Sequence, residues 1–207
     1  MTATTPTPPR GEGTLRHLGT SVLYTIVTIV AFGVIYPLIV WAIAALIFPH
    51  QANGSLISQG GVVIGSELVG QNFSKPGYFQ PRLSAAGKGY DPTQTGGTNY
   101  GPTSKKLIDG TKAAIAALRK ANPDATGPIP ADLVTSSASG IDPDISPEGA
   151  YYQAPRVAKA RGLSLEAVRA LIAQHVTPRQ LGILGEPRVN VLDLNRALDA
   201  LGVPATK

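Results

Sequence analysis

An uninterrupted apolar stretch constrains this chain more than any other feature. Residues 18–48 contain no Asp, Glu, Lys or Arg and are rich in Val, Ile, Leu and Ala. Their number exceeds the roughly 20 residues that a helix needs to cross a hydrocarbon core of about 30 Å. Because a single segment in lipid satisfies its backbone hydrogen bonds only as a helix, the sequence predicts a transmembrane helix over residues 18–48.

The charges on either side of this stretch predict its orientation. Arg10 and Arg16 precede it, whereas residues 49–65 contain no charged side chain of Asp, Glu, Lys or Arg. Because Lys and Arg concentrate at the cytoplasmic end of a span, we expect a cytoplasmic tail at residues 1–17 and an extracytoplasmic domain at residues 49–207. The tail is rich in Pro and Thr, which predicts disorder. The expected location is the plasma (inner) membrane, crossed once.

A cleaved secretory signal is the alternative for the apolar stretch, since Ala42 and Ala44 form a small-x-small pattern. The apolar region of a signal runs to only about 7 to 15 residues, which is about half of the present length. Trp41 near the outer end and Pro49 directly after the stretch are typical of a membrane anchor. Pro37 lies inside the stretch and predicts a kink in the helix, because proline lacks an N–H and its ring crowds the preceding turn.

The composition of the outer domain excludes several kinds of protein. The chain has no cysteine, which excludes a disulfide framework and a thiolate metal site. The formal net charge is +5, and residues 1–17 account for +1, so the outer domain carries +4 spread along its length. Dispersed charge of this size gives little support for nucleic-acid binding. The 18 Pro and 23 Gly predict long ordered loops between few regular elements.

Local patterns predict an α+β outer domain that is loop-rich at first and helical in its C-terminal half. Apolar residues around Gly60-Gly61 predict two strands joined by a turn. Capping and proline signals predict helices over residues 103–121, 147–161, 165–174 and 191–201, with a short helical turn at 177–180. Residues 65–102 and 130–146 show no period, and irregular segments of such length commonly form functional or docking surfaces.

Residues 157–169 have the outline of a DNA-binding helix-turn-helix. Gly162 separates two predicted helices, and Arg169 lies near the start of the second, where base contacts are made. An ordinary helical hairpin packed on a core explains the same residues. Because the predicted topology places this segment outside the cell, we expect no nucleic-acid partner.

The sequence contains no recognisable catalytic pattern. His17, His50 and His175 cannot be assembled into a triad or a metal site from their spacing, and His175 is expected to cap the end of a helix. Gly96 and Gly97 lack the Lys-Ser/Thr ending of a phosphate-binding loop and favour a turn. We therefore expect a protein without catalysis of its own.

Two carboxylates, Asp142 and Asp144, flank Pro143 and allow two interpretations. Acidic side chains beside a proline commonly form turns by accepting hydrogen bonds from nearby backbone amides. Their oxygen atoms are also suited to binding a cation. The sequence leaves both interpretations open.

A series of motifs runs along the outer domain in a fixed order. They occupy residues 65–73, 78–84, 90–92, 95–103, 130–143, 145–147, 156–158, 174–175 and 184–191. In order and spacing the series resembles the C subunit of the Kdp-type potassium-transporting ATPase, over nearly the whole chain from the apolar stretch to Leu201. The departures are conservative, with Leu83 where the family often has Pro, and Thr95 and Thr98 where it often has Ser.

The resemblance implies an accessory subunit with a single span. Its implied partners are an ATP-hydrolysing P-type subunit, a potassium-translocating subunit, a small single-helix subunit and membrane lipid. The family is described as a catalytic chaperone that raises the ATP affinity of the P-type subunit, and the glutamine of that proposal corresponds to Gln153. We expect no tightly bound cofactor, and ATP only through the partner complex. Since the charge bias places Gln153 outside the cell, an indirect effect on ATP suits the topology better.

The predicted topology favours a second hypothesis, in which the outer domain covers the mouth of the potassium-translocating subunit. Asp142 and Asp144 would then screen incoming potassium ions. A purely structural role in assembly is the alternative for these loops, and a free-standing membrane-tethered binding or sensor domain is the alternative for the whole chain. The docking surface would lie on the loops 65–102 and 130–146, with the contact residues Tyr78, Phe79, Arg82, Gly96, Gly97 and Asn99.

Overall fold

The computed structural model describes residues 13–202, which fall into two units, 13–54 and 55–202. In the first unit, one helix is long and apolar enough to cross a membrane; it runs from Thr14 to Ile47, and none of its residues is buried. Residues 1–12 of the predicted tail lie outside the described residues. The helix begins four residues before the predicted boundary, because Leu15 and Arg16 are good helix formers and extend it.

The middle of this helix departs from α geometry. Helices α1 (Thr14–Thr28) and α2 (Tyr36–Ile47) are joined by a π-helical segment, Ile29–Ile35, and the Tyr36 amide donates to the Ala31 carbonyl five residues back. Pro37 follows at once; it has no N–H, and its ring crowds the carbonyl four residues earlier. A widened turn relieves this crowding. The perturbation predicted at Pro37 thus takes the form of a π-helical segment on its N-terminal side.

A short helix, α3 (Pro49–Ala52), closes the first unit, and the second unit opens with a hairpin. Strands β1 (Leu56–Gln59) and β2 (Val62–Ser66) pair antiparallel, as the sequence predicts. Gly60 and Gly61 form the connection with φ values of 58° and 81°. Two-residue hairpin turns with both φ values positive match the twist of the strands, which is why two glycines stand here.

The predicted helices of the C-terminal half are present. They are α4 (Lys105–Ala121), α5 (Pro147–Arg161), α6 (Leu165–Gln174) and α7 (Val191–Ala200). Ser146 and Ser164 cap α5 and α6 by accepting from the amides of Gly149 and Ala167, as predicted. The cap predicted at Thr103 is wrong by one residue, because α4 begins after Ser104.

The ends of α5 and α6 also follow local signals. Gly162 stops α5 with φ of 63°, a left-handed conformation that costs glycine little. His175 stands at the C-terminal cap of α6, with Nδ1 2.9 Å from the carbonyl oxygen of Leu171. The predicted capping role of His175 is confirmed. Together α5 and α6 form the helical hairpin expected for residues 157–169, and Val157 and Val168 are fully buried in the core.

The C-terminal half also contains a three-stranded antiparallel sheet. Its order is β3-β5-β4, formed by β3 (Asp144–Ile145), β4 (Val176–Thr177) and β5 (Arg188–Asn190). The short helix predicted at residues 177–180 is wrong, because Thr177 pairs with Arg188 in the sheet. Strands of two or three residues are too short to show an alternating pattern in the sequence, so only the tertiary pairing reveals them.

The core of the outer domain lies between α5, α6, α7 and this sheet. Its fully buried members come mainly from the three helices and β5, and one, Phe79, comes from the irregular segment before α4. Residues 67–104 contain no helix or strand, as predicted for 67–102. The prediction is wrong at Gly65 and Ser66, which belong to β2. It is also wrong for part of residues 130–146, which include a 3-10 helix (Ala131–Leu133) and β3. The largest apolar core side chains are Phe79, Ile145, Ile172, Leu194, Leu198, Val157, Val168 and Val189.

Candidate functional site

Residues 76–82, called loop 76–82 below, are irregular, and side chains from the C-terminal half of the chain bond to much of their backbone. The five consecutive carbonyls from Pro76 to Gln80 each accept a hydrogen bond from a side chain. Buried carbonyls in a loop have no strand partner, and leaving them unpaired costs free energy. Side chains of α5 and α7 therefore replace the hydrogen bonds that a neighbouring strand would make. The donors are Gln153, Arg156, Arg161 and Asn195.

Two buried amides hold adjacent residues of this loop in the same way. Asn195 accepts from the Phe79 amide at 2.8 Å and donates to the Phe79 carbonyl at 3.0 Å. Gln153 accepts from the Gln80 amide at 2.8 Å and donates to the Gln80 carbonyl at 3.0 Å. Their exposed fractions are 1% for Asn195 and 0% for Gln153. We call this pair the amide clamps.

The amide of Gln153 has no hydrogen-bonding capacity left over. Oε1 also accepts from Arg156 Nη2 at 2.7 Å, and Nε2 also donates to the Gly149 carbonyl at 3.3 Å. A side-chain amide offers two donors and two acceptor positions, and all four are used. The nucleotide contact implied by the resemblance stays a prediction. In this conformation the Gln153 side chain makes all of its hydrogen bonds to groups of its own chain.

Two buried guanidinium groups complete the support of the loop. Arg156 donates to Asn122 Oδ1 at 2.8 Å and to the carbonyls of Pro76 and Tyr78, and burial lowers its pKa to about 10. Arg161 donates to the Gly77 carbonyl at 2.7 Å and stacks over the ring of Tyr78 at 4.6 Å. A guanidinium group is a charged donor, so the two arginines give these carbonyls strong hydrogen bonds.

A salt bridge extends the support of Arg161 to the last turn of α7. Its Nη2 lies 2.8 Å from Oδ1 of Asp199, and the Arg161 side chain is completely buried while that of Asp199 is half exposed. The hydroxyl of Tyr78 donates to the same carboxylate at 3.1 Å. Asp199 thus joins α5, α7 and loop 76–82.

The two irregular segments predicted as docking loops lie against each other. The amides of Gly70 and Gly96 donate to the carbonyls of Ile141 and Ser139, each at 2.8 Å. Ser84 Oγ donates to the Gly140 carbonyl at 2.6 Å. We call these paired segments, residues 65–102 and 130–146, the loop layer.

An ion pair and a buried tyrosine join the same two segments. Arg82 Nη1 lies 2.8 Å from Asp142 Oδ2, and the Tyr90 hydroxyl donates to the Arg82 carbonyl at 2.7 Å. Burial raises the pKa of Tyr90, the charge of Asp142 raises it further, and Arg82 opposes the shift. Tyr90 is therefore a neutral hydrogen-bond donor at physiological pH.

The two candidate carboxylates serve the local structure. Asp142 Oδ1 accepts from the Asp144 amide at 3.1 Å, which is the turn-forming alternative, and Asp144 pairs with Arg188 at 3.1 Å. Burial raises the pKa of Asp144, the charges of Asp142 and Asp193 add to this, and Arg188 opposes it. Among residues 13–202 no group of three or more His, Cys, Asp or Glu is arranged to hold a metal ion. Potassium screening by these carboxylates stays a prediction.

The predicted contact residues divide into buried and accessible ones. Phe79 is 0% exposed and belongs to the core, so the expectation that it forms part of a docking surface is corrected. The amide clamps fix the backbone of Phe79 and of the following residue, Gln80, which holds the Phe79 side chain in the core. Tyr78 and Arg82 are half-buried and keep part of their surface accessible.

The glycine-rich part of the loop layer carries the other three predicted contact residues. Gly96 and Gly97 are half-buried, and a Cβ on Gly97 would lie 3.0 Å from the Ala138 carbonyl oxygen. Asn99 is exposed, adopts φ of 51° and donates to the Gly97 carbonyl at 3.2 Å. Asparagine tolerates this left-handed conformation better than most residues, which explains its place in the turn.

Comparison with known proteins identifies the family. A family model described as "KdpC: K+-transporting ATPase, c chain" matches residues 18–200. The chain belongs to the KdpC family. It is similar to the potassium-transporting ATPase KdpC subunit of Acidobacterium capsulatum, with 57% identity over 187 residues, 90% of this chain and 100% of the relative. It is also similar to that of Myxococcus xanthus, with 55% identity over 175 residues, 84% of this chain and 83% of the relative.

Membership of the KdpC family confirms the resemblance seen in the sequence. The match covers both the apolar helix and the outer domain, and it supports an accessory role in potassium transport.

Sequence reasoning missed three of the four residues that hold loop 76–82 in this KdpC chain. The sequence does contain a signal for Asn195, because its amide lies between Leu192 and Leu198 on the apolar face of α7. A polar side chain at such a position needs a buried hydrogen-bond partner. The sequence contains no comparable signal for the burial of Arg156 and Arg161, since arginines on a helix are mostly exposed. Their burial follows from loop carbonyls roughly 80 residues earlier in the chain.

Proposed function

We propose that this KdpC-family chain is a non-catalytic accessory subunit of a high-affinity, ATP-driven potassium uptake complex. The observation that carries the proposal is the family match, which spans residues 18–200. The helix from Thr14 to Ile47 is suited to anchoring such a subunit in the membrane. Its partners are a P-type catalytic subunit, a potassium-translocating subunit, a small single-helix subunit and membrane lipid. The subunit serves assembly and stability of the complex.

Co-purification and protease accessibility test this proposal together. A tag on the P-type subunit should retain the chain through detergent extraction, whereas a free-standing binding or sensor domain would be lost. In intact spheroplasts, external protease should remove the epitope of an antibody raised against the C-terminus, because two arginines precede the apolar stretch 18–48 and favour a cytoplasmic N-terminus. Protection until lysis would reverse the orientation and make direct ATP contact the leading mechanism.

The loop layer is suited to be the docking surface in this proposal. Its backbone is held by buried donors from α5 and α7 and by mutual hydrogen bonds. Ordering a loop on binding costs free energy, and a loop that is already ordered avoids that cost. A rigid loop layer can therefore dock over the potassium-translocating subunit without refolding.

Gln153 acts on ATP affinity through loop 76–82 in this proposal. Asn195 holds the neighbouring residue with the same bonding pattern, so it provides a matched comparison. We expect Gln153→Ala and Asn195→Ala to weaken the apparent ATP affinity of the assembled complex alike, by about threefold to tenfold, which corresponds to 0.7 to 1.4 kcal/mol of transmitted free energy. ATPase activity of the purified complex as a function of ATP concentration measures this.

The control for this experiment is retention of each variant in the complex, since a lost subunit would mimic a weakened effect. If Gln153→Ala lowers ATP affinity and Asn195→Ala, equally retained, does not, Gln153 contacts the nucleotide and the indirect mechanism is wrong.

Asp142 and Asp144 screen potassium ions at the docked surface in the second part of the proposal. A unit charge about 10 Å from an ion contributes about 0.4 kcal/mol in water, so removing two should weaken the apparent potassium affinity about two- to fivefold. We therefore expect the Asp142→Asn, Asp144→Asn double variant to assemble normally and to need more potassium for half-maximal ATPase activity. The effect should shrink at high ionic strength.

Arg82→Gln is the matched control, because it breaks the ion pair with Asp142 and keeps both carboxylates. We expect no weakening of potassium affinity in this variant. An equal loss in Arg82→Gln would assign the effect to loop geometry, and an unchanged affinity in the double variant would leave these loops a structural role in assembly.

A further inference from the structure

Helix α4 holds the whole surplus of positive charge of the outer domain. It contains five Lys or Arg and one Asp, which gives a net charge of +4. Residues 49–207 together also carry +4, so the outer domain without α4 is formally neutral. The charges that are spread along the chain therefore balance one another outside this helix, and the excess lies on α4 alone.

The five cations of α4 lie on one side of the helix. Lys105, Lys112 and Arg119 are seven residues apart, which is nearly two turns each, so they form a row about 21 Å long at 1.5 Å per residue. Lys106 and Lys120 flank this row, and all five residues are exposed. We call the five cations of α4 the basic face.

The basic face is poorly neutralised by the protein itself. Lys105 pairs with Asp109 at 2.7 Å, and the other four cations form no ion pair among residues 13–202. Unmatched charge of one sign creates a positive potential over this side of the outer domain, which attracts anionic partners.

The apolar side of α4 is already used within the outer domain. Leu118 packs against the core, and Leu107 and Ala114 are half-buried on the same side of the helix. An amphipathic helix that inserts into a bilayer must turn its apolar side to the lipid. Because that side is occupied here, a partner meets α4 through charge at its outer surface.

The residue types of the basic face favour a lipid surface over an acidic protein surface. Four of the five cations are lysines. Lysine is depleted at protein interfaces and arginine is enriched, because a planar guanidinium matches a fixed carboxylate. Clusters of four to eight Lys or Arg on an amphipathic helix are typical of binding to anionic phospholipid. The helix from Thr14 to Ile47 is long and apolar enough to cross a membrane, so the same chain brings a bilayer to high effective concentration.

We infer that the basic face docks on anionic phospholipid headgroups at the surface of the membrane that anchors the chain. The inference goes beyond the proposed function, because it needs no partner subunit. The contact restrains the outer domain on the bilayer at a second place besides the apolar helix, and α4 keeps its packing on the domain.

A fluorophore at the centre of the basic face tests this contact. The chain has no cysteine, so Ala116→Cys, at an exposed position between Lys112 and Arg119, accepts a single bimane label. The full chain is incorporated into lipid nanodiscs, which leave both membrane faces open to solution, made of phosphatidylcholine alone or of equal parts phosphatidylcholine and phosphatidylglycerol. The uncharged quencher acrylamide should quench the label about threefold less in the anionic nanodiscs, because headgroups cover it there. Ala170→Cys, at an exposed position of α6, is the control site and should be quenched equally in both.

Charge variants separate the basic face from net charge. Lys112→Gln together with Arg119→Gln should weaken docking by about 30-fold and restore most of the quenching at position 116. The Tm should stay the same, because both side chains are exposed and glutamine is a good helix former. Lys75→Gln together with Arg169→Gln removes the same charge from exposed positions outside α4 and should leave the protection intact. Raising the salt from about 0.1 M to about 1 M shortens the Debye length from about 10 Å to about 3 Å and should abolish the protection.

Equal quenching at position 116 in the two kinds of nanodisc would overturn the inference. Loss of protection in the Lys75→Gln, Arg169→Gln variant as complete as in the α4 variant would overturn it as well, because net charge would then be responsible. Protection that arises only in the purified complex, whatever the lipid charge, would assign the basic face to an acidic protein surface and would contradict docking on lipid.

Discussion

Replacing Arg156 with methionine is expected to lower the free energy of unfolding of the outer domain by about 3 to 5 kcal/mol. The variant removes the buried donor that serves the carbonyls of Pro76 and Tyr78, and it leaves the amide oxygens of the buried side chains of Asn122 and Gln153 without this partner. Methionine fills much of the volume, so the loss comes mainly from unpaired polar groups. Urea unfolding of the full chain in detergent, followed by far-ultraviolet circular dichroism, measures the change.

Lys159→Met on the same helix is the matched control. Lys159 pairs with Asp124 at 3.1 Å, but its side chain is 76% exposed, and exposed ion pairs contribute little. We expect the free energy of unfolding of this variant to change by no more than about 0.5 kcal/mol. If Arg156→Met were equally mild, the role of Arg156 as the central support of loop 76–82 would be contradicted.

Gly140→Ala is expected to lower the free energy of unfolding by about 3 kcal/mol and to reduce assembly of the complex. Gly140 adopts φ of 71°, and an added Cβ would lie 2.8 Å from the Ala86 amide nitrogen and from the Gly96 carbonyl oxygen. The left-handed conformation costs alanine about 1 to 2 kcal/mol, and overpacking adds a comparable amount. Because the obstructing atoms are backbone, relief requires the two segments of the loop layer to separate. Urea unfolding and co-purification measure the two effects.

Gly96→Ala controls for the general effect of adding a methyl group to this region. No atom outside its own neighbourhood lies within 4 Å of the added Cβ, and its φ does not lie in the left-handed region. We expect the free energy of unfolding of this variant to differ from that of the unmodified chain by less than about 1 kcal/mol. Equal stability of Gly140→Ala and Gly96→Ala would show that the two segments are not closely packed.

Local features of the outer domain were predictable because their causes lie within a few residues. The hairpin follows from Gly60-Gly61, and the starts of α5 and α6 follow from Ser146 and Ser164. Caps and turns depend on hydrogen bonds between residues two to four apart, so they can be predicted from the local sequence. The cap of α4 was misplaced by one residue because Thr103 and Ser104 are both suitable by type and neither side chain makes the capping bond.

The candidate site was only partly predictable, because its bonds join distant residues. The loop layer was located as irregular sequence, but the inward position of Phe79 depends on Asn195, 116 residues later. Similarly, Gln153 was singled out through the family resemblance, and its bonds to Gln80 cross 73 residues. Side-chain hydrogen bonds over such separations have no sequence period, so neither secondary-structure propensity nor hydrophobic patterning predicts them.

The sequence by itself determined the apolar helix, the order of helices and loops, and the family. Apolar length, caps and motif spacing act locally and need no knowledge of the fold. Only the tertiary structure decided that a three-stranded sheet joins residues 144 and 190 and that two arginines are buried. The physical reason is the same in each case: a buried polar group or a short strand is stable only with its partner, and the partner is supplied by the folded chain.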